Sequence, residues 1–243
     1  MSTAAIMQPT YLPWSGYFQL MAQADVFVLL DDVQFNRTSW QCRNRILLHG
    51  AEHMLTVPVT GASLGTPINE VRLMPRPWAV KQWATLQAAY GKTPHGPEML
   101  ALLAPVYAQA AEFSLLVDWN QALIAVLAKA LGIDTPLLRS STLGREGQRS
   151  ARLLALCEHL GASDYLSPRG SMAYLTEDDF AGNGRITLHY QDYTPPPYAQ
   201  RKADGFVSHL SVVDVIAQQG TDFARRYVRG QIAPADTTPP HPI

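Results

Sequence analysis

Apolar positions near the start of the chain come in short unbroken runs rather than in alternation. Ala4-Ala5-Ile6-Met7 is one run, and Asp25-Val26-Phe27-Val28-Leu29-Leu30-Asp31-Asp32 is another that ends in two carboxylates. Runs of this kind predict strands buried on both faces, as in a parallel sheet. Between them, residues 8–16 hold two prolines and a glycine and predict a loop. Residues 17–24 follow as a predicted helix, so strand, helix and strand make a βαβ unit. The ligand crevice of such units lies at the carboxyl ends of the strands, which points to residues 8–16 and 31–35.

Further along, the apolar spacing turns helical over 78–90, 99–111 and 115–131, with a Pro/Gly break at 91–97. The α/β rhythm then returns: strand at 135–139, helix at 149–160, strand at 164–167, a short helix through 177–180, strand at 185–190, and a helix holding Asp214. This alternation predicts an α/β fold with a mostly parallel sheet of βαβ units, in Rossmann-like or nucleotidyltransferase-like topology, with a helical insert in the middle. The expected layout is an N-terminal α/β part (1–77), the insert (78–132), a C-terminal α/β part of the same sheet (133–230) and a proline-rich disordered tail (231–243).

Composition narrows the function classes. With 243 residues and 47% hydrophobic positions, the chain can bury a sizeable core. Lys+Arg 19 against Asp+Glu 20 gives a net charge of -1, which argues against broad electrostatic capture of nucleic acid or an anionic membrane. The apolar stretches are too short to span a bilayer, and no signal-peptide pattern opens the chain, so a cytoplasmic protein is expected. Neither Cys42 nor Cys157 belongs to a C-x-x-C pair, and no H-E-x-x-H motif occurs, so reduced thiols and no metal are expected.

Several strings carry a family resemblance. Met7-Gln8-Pro9-Thr10-Tyr11-Leu12-Pro13-Trp14 with Gly16-Tyr17-Phe18, Leu30-Asp31-Asp32-Val33-Gln34-Phe35, Ser39-Trp40-Gln41 and Arg43-Asn44-Arg45-Ile46 form the densest part. Tyr165-Leu166-Ser167 and His209-Leu210-Ser211-Val212-Val213-Asp214 extend it toward residue 220. The chain resembles the WbqC-like proteins of bacteria, met in clusters for O-antigen and other polysaccharide or small-molecule biosynthesis. The resemblance implies transfer of an acyl or aminoacyl group to an amine, such as that of an amino sugar, from a carrier-protein thioester. No covalently bound cofactor is expected; the phosphopantetheine arm of a carrier protein is the candidate donor group. Two positions depart from the family pattern: Cys42 stands where Asn is usual, and Gln82-Trp83 follows Lys81 where Lys-His is common.

Individual residues suggest roles. His209 is the preferred general base, and Ser208 or Ser211 can cap the helix after it. Asp31 and Asp32 end a strand at the ligand edge and are candidates for proton removal, with a helix cap or ion pairing to Arg43 or Arg45 as the structural alternatives. Cys42 beside Arg43 is a candidate nucleophile for a thioester relay, whereas Cys157, on an apolar helix face, reads as core. The two loops offer Gln8, Tyr11, Trp14, Tyr17 and Gln34 as substrate contacts, joined by Trp40. The guanidinium groups of Arg43 and Arg45 suit carboxylate or phosphate, with Arg43, Asn44 and Lys81 as anion holders. Ser140, Ser141 and Ser167 follow strands at positions where hydroxyls and backbone N–H groups cradle anions.

Three readings compete. The first is an amide-forming acyl or aminoacyl transferase, with backbone amides of the first loop stabilising the oxyanion. The second is an ATP-using ligase or nucleotidyltransferase-like enzyme, suggested by the strand-to-helix position of the first loop although the histidines of an H-x-G-H motif are missing. The third is a non-catalytic module that binds a nucleotide sugar or a carrier protein.

Overall fold

The computed structural model describes residues 1–144 and 146–232. In chain order the elements are β1 (Thr3–Met7), α1 (Ser15–Ala22), β2 (Val26–Leu29), β3 (Arg43–Leu48), β4 (Ala51–Thr56), β5 (Val59–Thr60), β6 (Arg72–Leu73), α2 (Trp78–Tyr90), α3 (Gly96–Ala108), α4 (Leu116–Ala130), β7 (Leu137–Arg139), α5 (Ser140–Leu143), α6 (Arg149–His159), β8 (Asp164–Ser167), α7 (Met172–Glu177), β9 (Thr187–Tyr190), α8 (Val212–Gln219) and α9 (Thr221–Tyr227). Five strands form a parallel sheet in the order β7-β2-β1-β8-β9. The chain is an α/β protein, as its unbroken apolar runs predict.

Strand parity divides the interior into two cores. Ala5, Phe27, Leu29 and Leu166 face one side, where they pack with α1, with α2, α3 and α4, and with α8 and α9. Ala4, Ile6, Val28 and Tyr165 face the other, against Leu153, Leu156 and Cys157 of α6 and Leu175 of α7. Successive residues of a strand point to opposite faces, so apolar side chains at every position are what a sheet covered on both sides requires. The helices of 78–132 share their core with β1 and β2. Cys157 is buried and lies in the α6 core, as its helical spacing suggests.

Several boundaries differ from expectation, each for a local reason. The helix expected at 99–111 is Gly96–Ala108, because Pro97 sits in its first turn, where the N–H that proline lacks has no intrahelical acceptor anyway. The first helix starts at Ser15 instead of residue 17 and takes in Gly16. Trp14 lays its indole over that turn, and a Cβ at position 16 would collide with the ring. The short helix expected through 177–180 ends at Glu177, and a separate 3-10 turn covers Phe180–Asn183. Arg43–Leu48 and Ala51–Thr56 pair as an antiparallel hairpin, closed by His49 and Gly50 with φ of 55° and 88°, the positive pair that a tight two-residue turn requires. The expected tail begins at residue 231, and from 233 onward it lies outside the described residues. Among the described residues, no helix is long and apolar enough to cross a membrane.

The sheet order reverses direction between β1 and β8, so the crevice between their connections opens at Met7 and Ser167.

Candidate functional site

Beyond Met7 the chain makes a strained turn. Leu12 has φ 39°, a left-handed conformation that is costly for a bulky residue and disfavoured before a proline such as Pro13. Asn44 of β3 holds it: the buried side-chain amide donates to the carbonyls of Tyr11 (3.0 Å) and Leu12 (2.8 Å), while its oxygen accepts the Arg45 N–H (2.8 Å). The Tyr11 N–H bonds the Trp40 carbonyl, which ties the turn to the segment before the hairpin. A third segment arrives from far down the chain: Ser211 N–H donates to the Arg45 carbonyl, Val212 N–H to the Pro13 carbonyl, and Trp14 bridges Ser211. Ser211 caps α8 by accepting from the Val213 N–H, so this strand-like crossing and the helix start are fixed together.

These three segments enclose a pocket of about 300 Å³ lined by Met7, Thr10, Trp14, Tyr17, Trp40, Asn44, Arg45 and His209. His209 sits at its edge with φ 58°, its ring 4.8 Å from that of Trp14 and its Nδ1 3.0 Å from Ser208 Oγ. Non-glycine residues held at positive φ cost about 1–3 kcal/mol and gather at functional sites. Partial desolvation against this wall, reinforced by the Arg45 cation, holds the imidazole below its ordinary pKa of 6.5. Arg45 lies over the Trp40 ring at 5.5 Å, donates from Nη2 to the His209 carbonyl (3.1 Å) and pairs through Nη1 with Glu52 (2.8 Å). The pocket therefore combines an imidazole, a cation and three aromatic walls.

A profile of the WbqC-like protein family matches residues 8–226. The chain belongs to the WbqC-like family. An uncharacterised protein of Mycobacterium tuberculosis, Rv1507c, is 31% identical over 232 residues, which cover 94% of this chain and 98% of the relative. The match takes in all the pocket residues except Met7.

Of the expected site residues of this WbqC-like chain, Trp14, Tyr17, Trp40, Asn44 and His209 come together in the pocket. Between the two guanidinium groups of the hairpin, Arg45 reaches the pocket lining, whereas Arg43 turns back to donate to the Thr38 carbonyl. Thr10 belongs to the 8–16 loop already placed at the crevice, whereas Met7 was not anticipated; its signal is its place at the carboxyl end of the central strand. Gln8 lies alongside, its side-chain oxygen accepting from Gln41 (2.8 Å) and its carbonyl from the Tyr17 hydroxyl (3.3 Å). Tyr11 points into the core, where its hydroxyl meets those of Tyr107 and the Gln82 amide oxygen, each at 2.8 Å. Gln82 is thus a core hydrogen-bond partner that also donates to the Thr56 carbonyl.

Asp31 and Asp32 form a separate cluster. Asp31 is fully buried and accepts from Ser140 Oγ (3.1 Å), Ser141 N–H (2.9 Å) and Ser141 Oγ (2.8 Å), so its carboxylate occupies the start of α5. Asp32 accepts from Ser140 Oγ (2.6 Å) and pairs with Arg152 of α6. The ion-pair alternative named Arg43 and Arg45, but the actual partner is Arg152. The cause is strand order: β7 lies beside β2, which brings its following serines to the aspartates. Ser167 is buried at the end of β8, with Oγ 3.3 Å from the Pro168 carbonyl. Gln34 and Lys81 are exposed outside the pocket lining. Cys42 is 1% exposed; burial pushes its thiol pKa up, against the opposing effect of Arg43 and Arg37.

Proposed function

We propose that this WbqC-like protein is an acyl or aminoacyl transferase that forms an amide, with His209 as general base. The observation that carries the reading is the placement of His209 at the pocket edge, its ring against Trp14 and its carbonyl held by Arg45. An amine acceptor, such as an amino sugar, fits a 300 Å³ pocket with aromatic walls. The donor is an acyl or aminoacyl thioester on the phosphopantetheine arm of a carrier protein. The amine nitrogen attacks the thioester carbonyl, the C–S bond breaks, His209 takes the proton lost by nitrogen and returns it to the departing thiolate. His209 is preferred to Asp32, whose carboxylate is already engaged by Ser140 and Arg152. Direct attack by the amine is preferred to a relay through Cys42, because a buried thiol with a raised pKa is a poor nucleophile.

The test incubates the protein with amino sugars and small amines plus aminoacyl carrier proteins, with and without Mg-ATP, and follows the masses of protein and small molecules. Amide product without ATP is the expected result. His209→Ala should lower the rate by about 100- to 10,000-fold. The wild-type rate should fall on acidification through a pKa below 6.5, as the base becomes protonated. Product only with Mg-ATP, with release of AMP or pyrophosphate, would replace this reading by a ligase, and binding without turnover would replace it by a carrier or nucleotide-sugar module.

A further inference from the structure

A second cavity, of about 710 Å³, lies between β6, the start of α2 and the end of α3. Its walls include Trp78, Val80, Tyr107 and Phe113, and it is lined by two cations, Arg72 and Arg76, with no carboxylate. Both arginines are exposed, and neither guanidinium group has a hydrogen-bond or ion-pair partner among the described residues. Val80 is 70% exposed, an apolar side chain left open to solvent at the same place.

The backbone adds to this positive potential. Residues 76–80 of the lining span the N-terminus of α2, a thirteen-residue helix whose N-cap is Pro77. That end has no side-chain cap and no acidic residue in its first turn. A helix start leaves N–H groups without intrahelical acceptors and carries roughly half a positive charge, which a capping side chain or an acid normally meets. Here two guanidinium groups stand beside it instead, on a chain whose net charge is -1. Behind the lining, Trp119 is fully buried in edge contact with Trp78, Tyr107 and Phe113, which fixes those rings in place. A wall of aromatic rings beside unmatched positive charge is complementary to an anion carried on an apolar body.

We propose that this groove is a binding site for an anionic amphiphile, with the carboxylate or phosphate head held by Arg72, Arg76 and the N–H groups of Ala79 and Val80, since the Trp78 N–H is taken by the Arg76 carbonyl, and the apolar body laid over Trp78, Tyr107 and Phe113. A volume of 710 Å³ is in the range of small-molecule sites. The forked donors of arginine match both head groups. The proposal is independent of the transfer reaction, because it concerns binding at a different set of residues.

Decanoate, decyl phosphate and decanol, titrated calorimetrically into the full chain, test it. The two anions should bind at least tenfold more tightly than the alcohol, and their ratio tells which head group the site prefers. Arg72→Gln and Arg76→Gln should each weaken the anions by about tenfold while leaving decanol unchanged. Both positions are exposed and unpaired, so the variants should melt at the wild-type temperature. Ala111→Trp, at an exposed lining position, should abolish binding of all three ligands by filling the groove. Equal affinity for decanol and decanoate, retention of anion binding in the Arg72→Gln/Arg76→Gln double variant, or no binding of either anion would each overturn the proposal.

Discussion

Asn44 is the residue whose removal should separate the shape of the pocket from its chemistry. Truncation to Ala strips partners from three groups at once, the carbonyls of Tyr11 and Leu12 and the N–H of Arg45. An unsatisfied buried polar group costs about 1–3 kcal/mol, and the low end applies where the adjoining pocket lets water reach the site. Against that loss, Leu12 is freed from its left-handed conformation, which returns roughly 1 kcal/mol. The net destabilisation is therefore about 2 kcal/mol, equivalent to a fall of about 4–8 °C in Tm for a chain of this size. Asn44→Asp distinguishes this account from a plain cavity. Its ionised carboxylate would face two carbonyl oxygens, so it should be less stable than Asn44→Ala at neutral pH and recover as pH falls toward the ordinary Asp value of about 3.9. Calorimetric melting of the three proteins between neutral and acid pH is the assay. A fall in Tm of less than about 1 °C for Asn44→Ala, or no acid recovery for Asn44→Asp, would refute the clamp.

Other perturbations have equally definite expectations. Gly16→Ala should push the Trp14 indole away from α1, shifting the Trp emission maximum and weakening any ligand of the pocket, with α1 itself preserved in circular dichroism. Asp214 is fully buried and accepts from Tyr198 (2.6 Å) and Gln200 (3.0 Å); burial raises its pKa, so the native state holds an extra proton between the unfolded and folded values and stability falls as pH rises through that window. Asp214→Asn should flatten that dependence in urea melts, while Asp214→Ala should cost about 1–3 kcal/mol for each donor left without an acceptor. Cys42 should resist iodoacetamide in the native protein and react on unfolding, and Cys42→Ser should retain transfer activity; rapid native labelling would contradict the burial.

The parallel sheet was legible because β2 is apolar at every position and β1 at all but Thr3, a pattern with few other uses, and β8 fell on residues 164–167 as expected. The hairpin was not, since β4 exposes most of its residues and β3 buries the polar Asn44, so neither strand alternates in the usual sense. Within the pocket, the aromatic residues and His209 stood out by type and by family resemblance. The choice of Arg45 over Arg43 depends on a turn of the Arg43 side chain toward Thr38, which no spacing rule encodes. Likewise, the engagement of Asp31 and Asp32 by Ser140, Ser141 and Arg152 follows from β7 lying next to β2 across more than a hundred residues of chain. The uncapped start of α2 and its two arginines are individually ordinary, and only the fold brings them to one groove.

The contacts Ser211 to Arg45 and Val212 to Pro13 have a consequence for how the protein is made. Synthesis proceeds from the N-terminus, so β1, the strained turn and the β3–β4 hairpin leave the ribosome long before His209 does. Until the segment around Ser211 emerges, Trp14 lacks both its bridge and its imidazole neighbour. A nascent or truncated chain that stops short of it carries all five sheet strands but cannot close the pocket, so ligand binding at this site doubles as a report that translation has reached the start of α8.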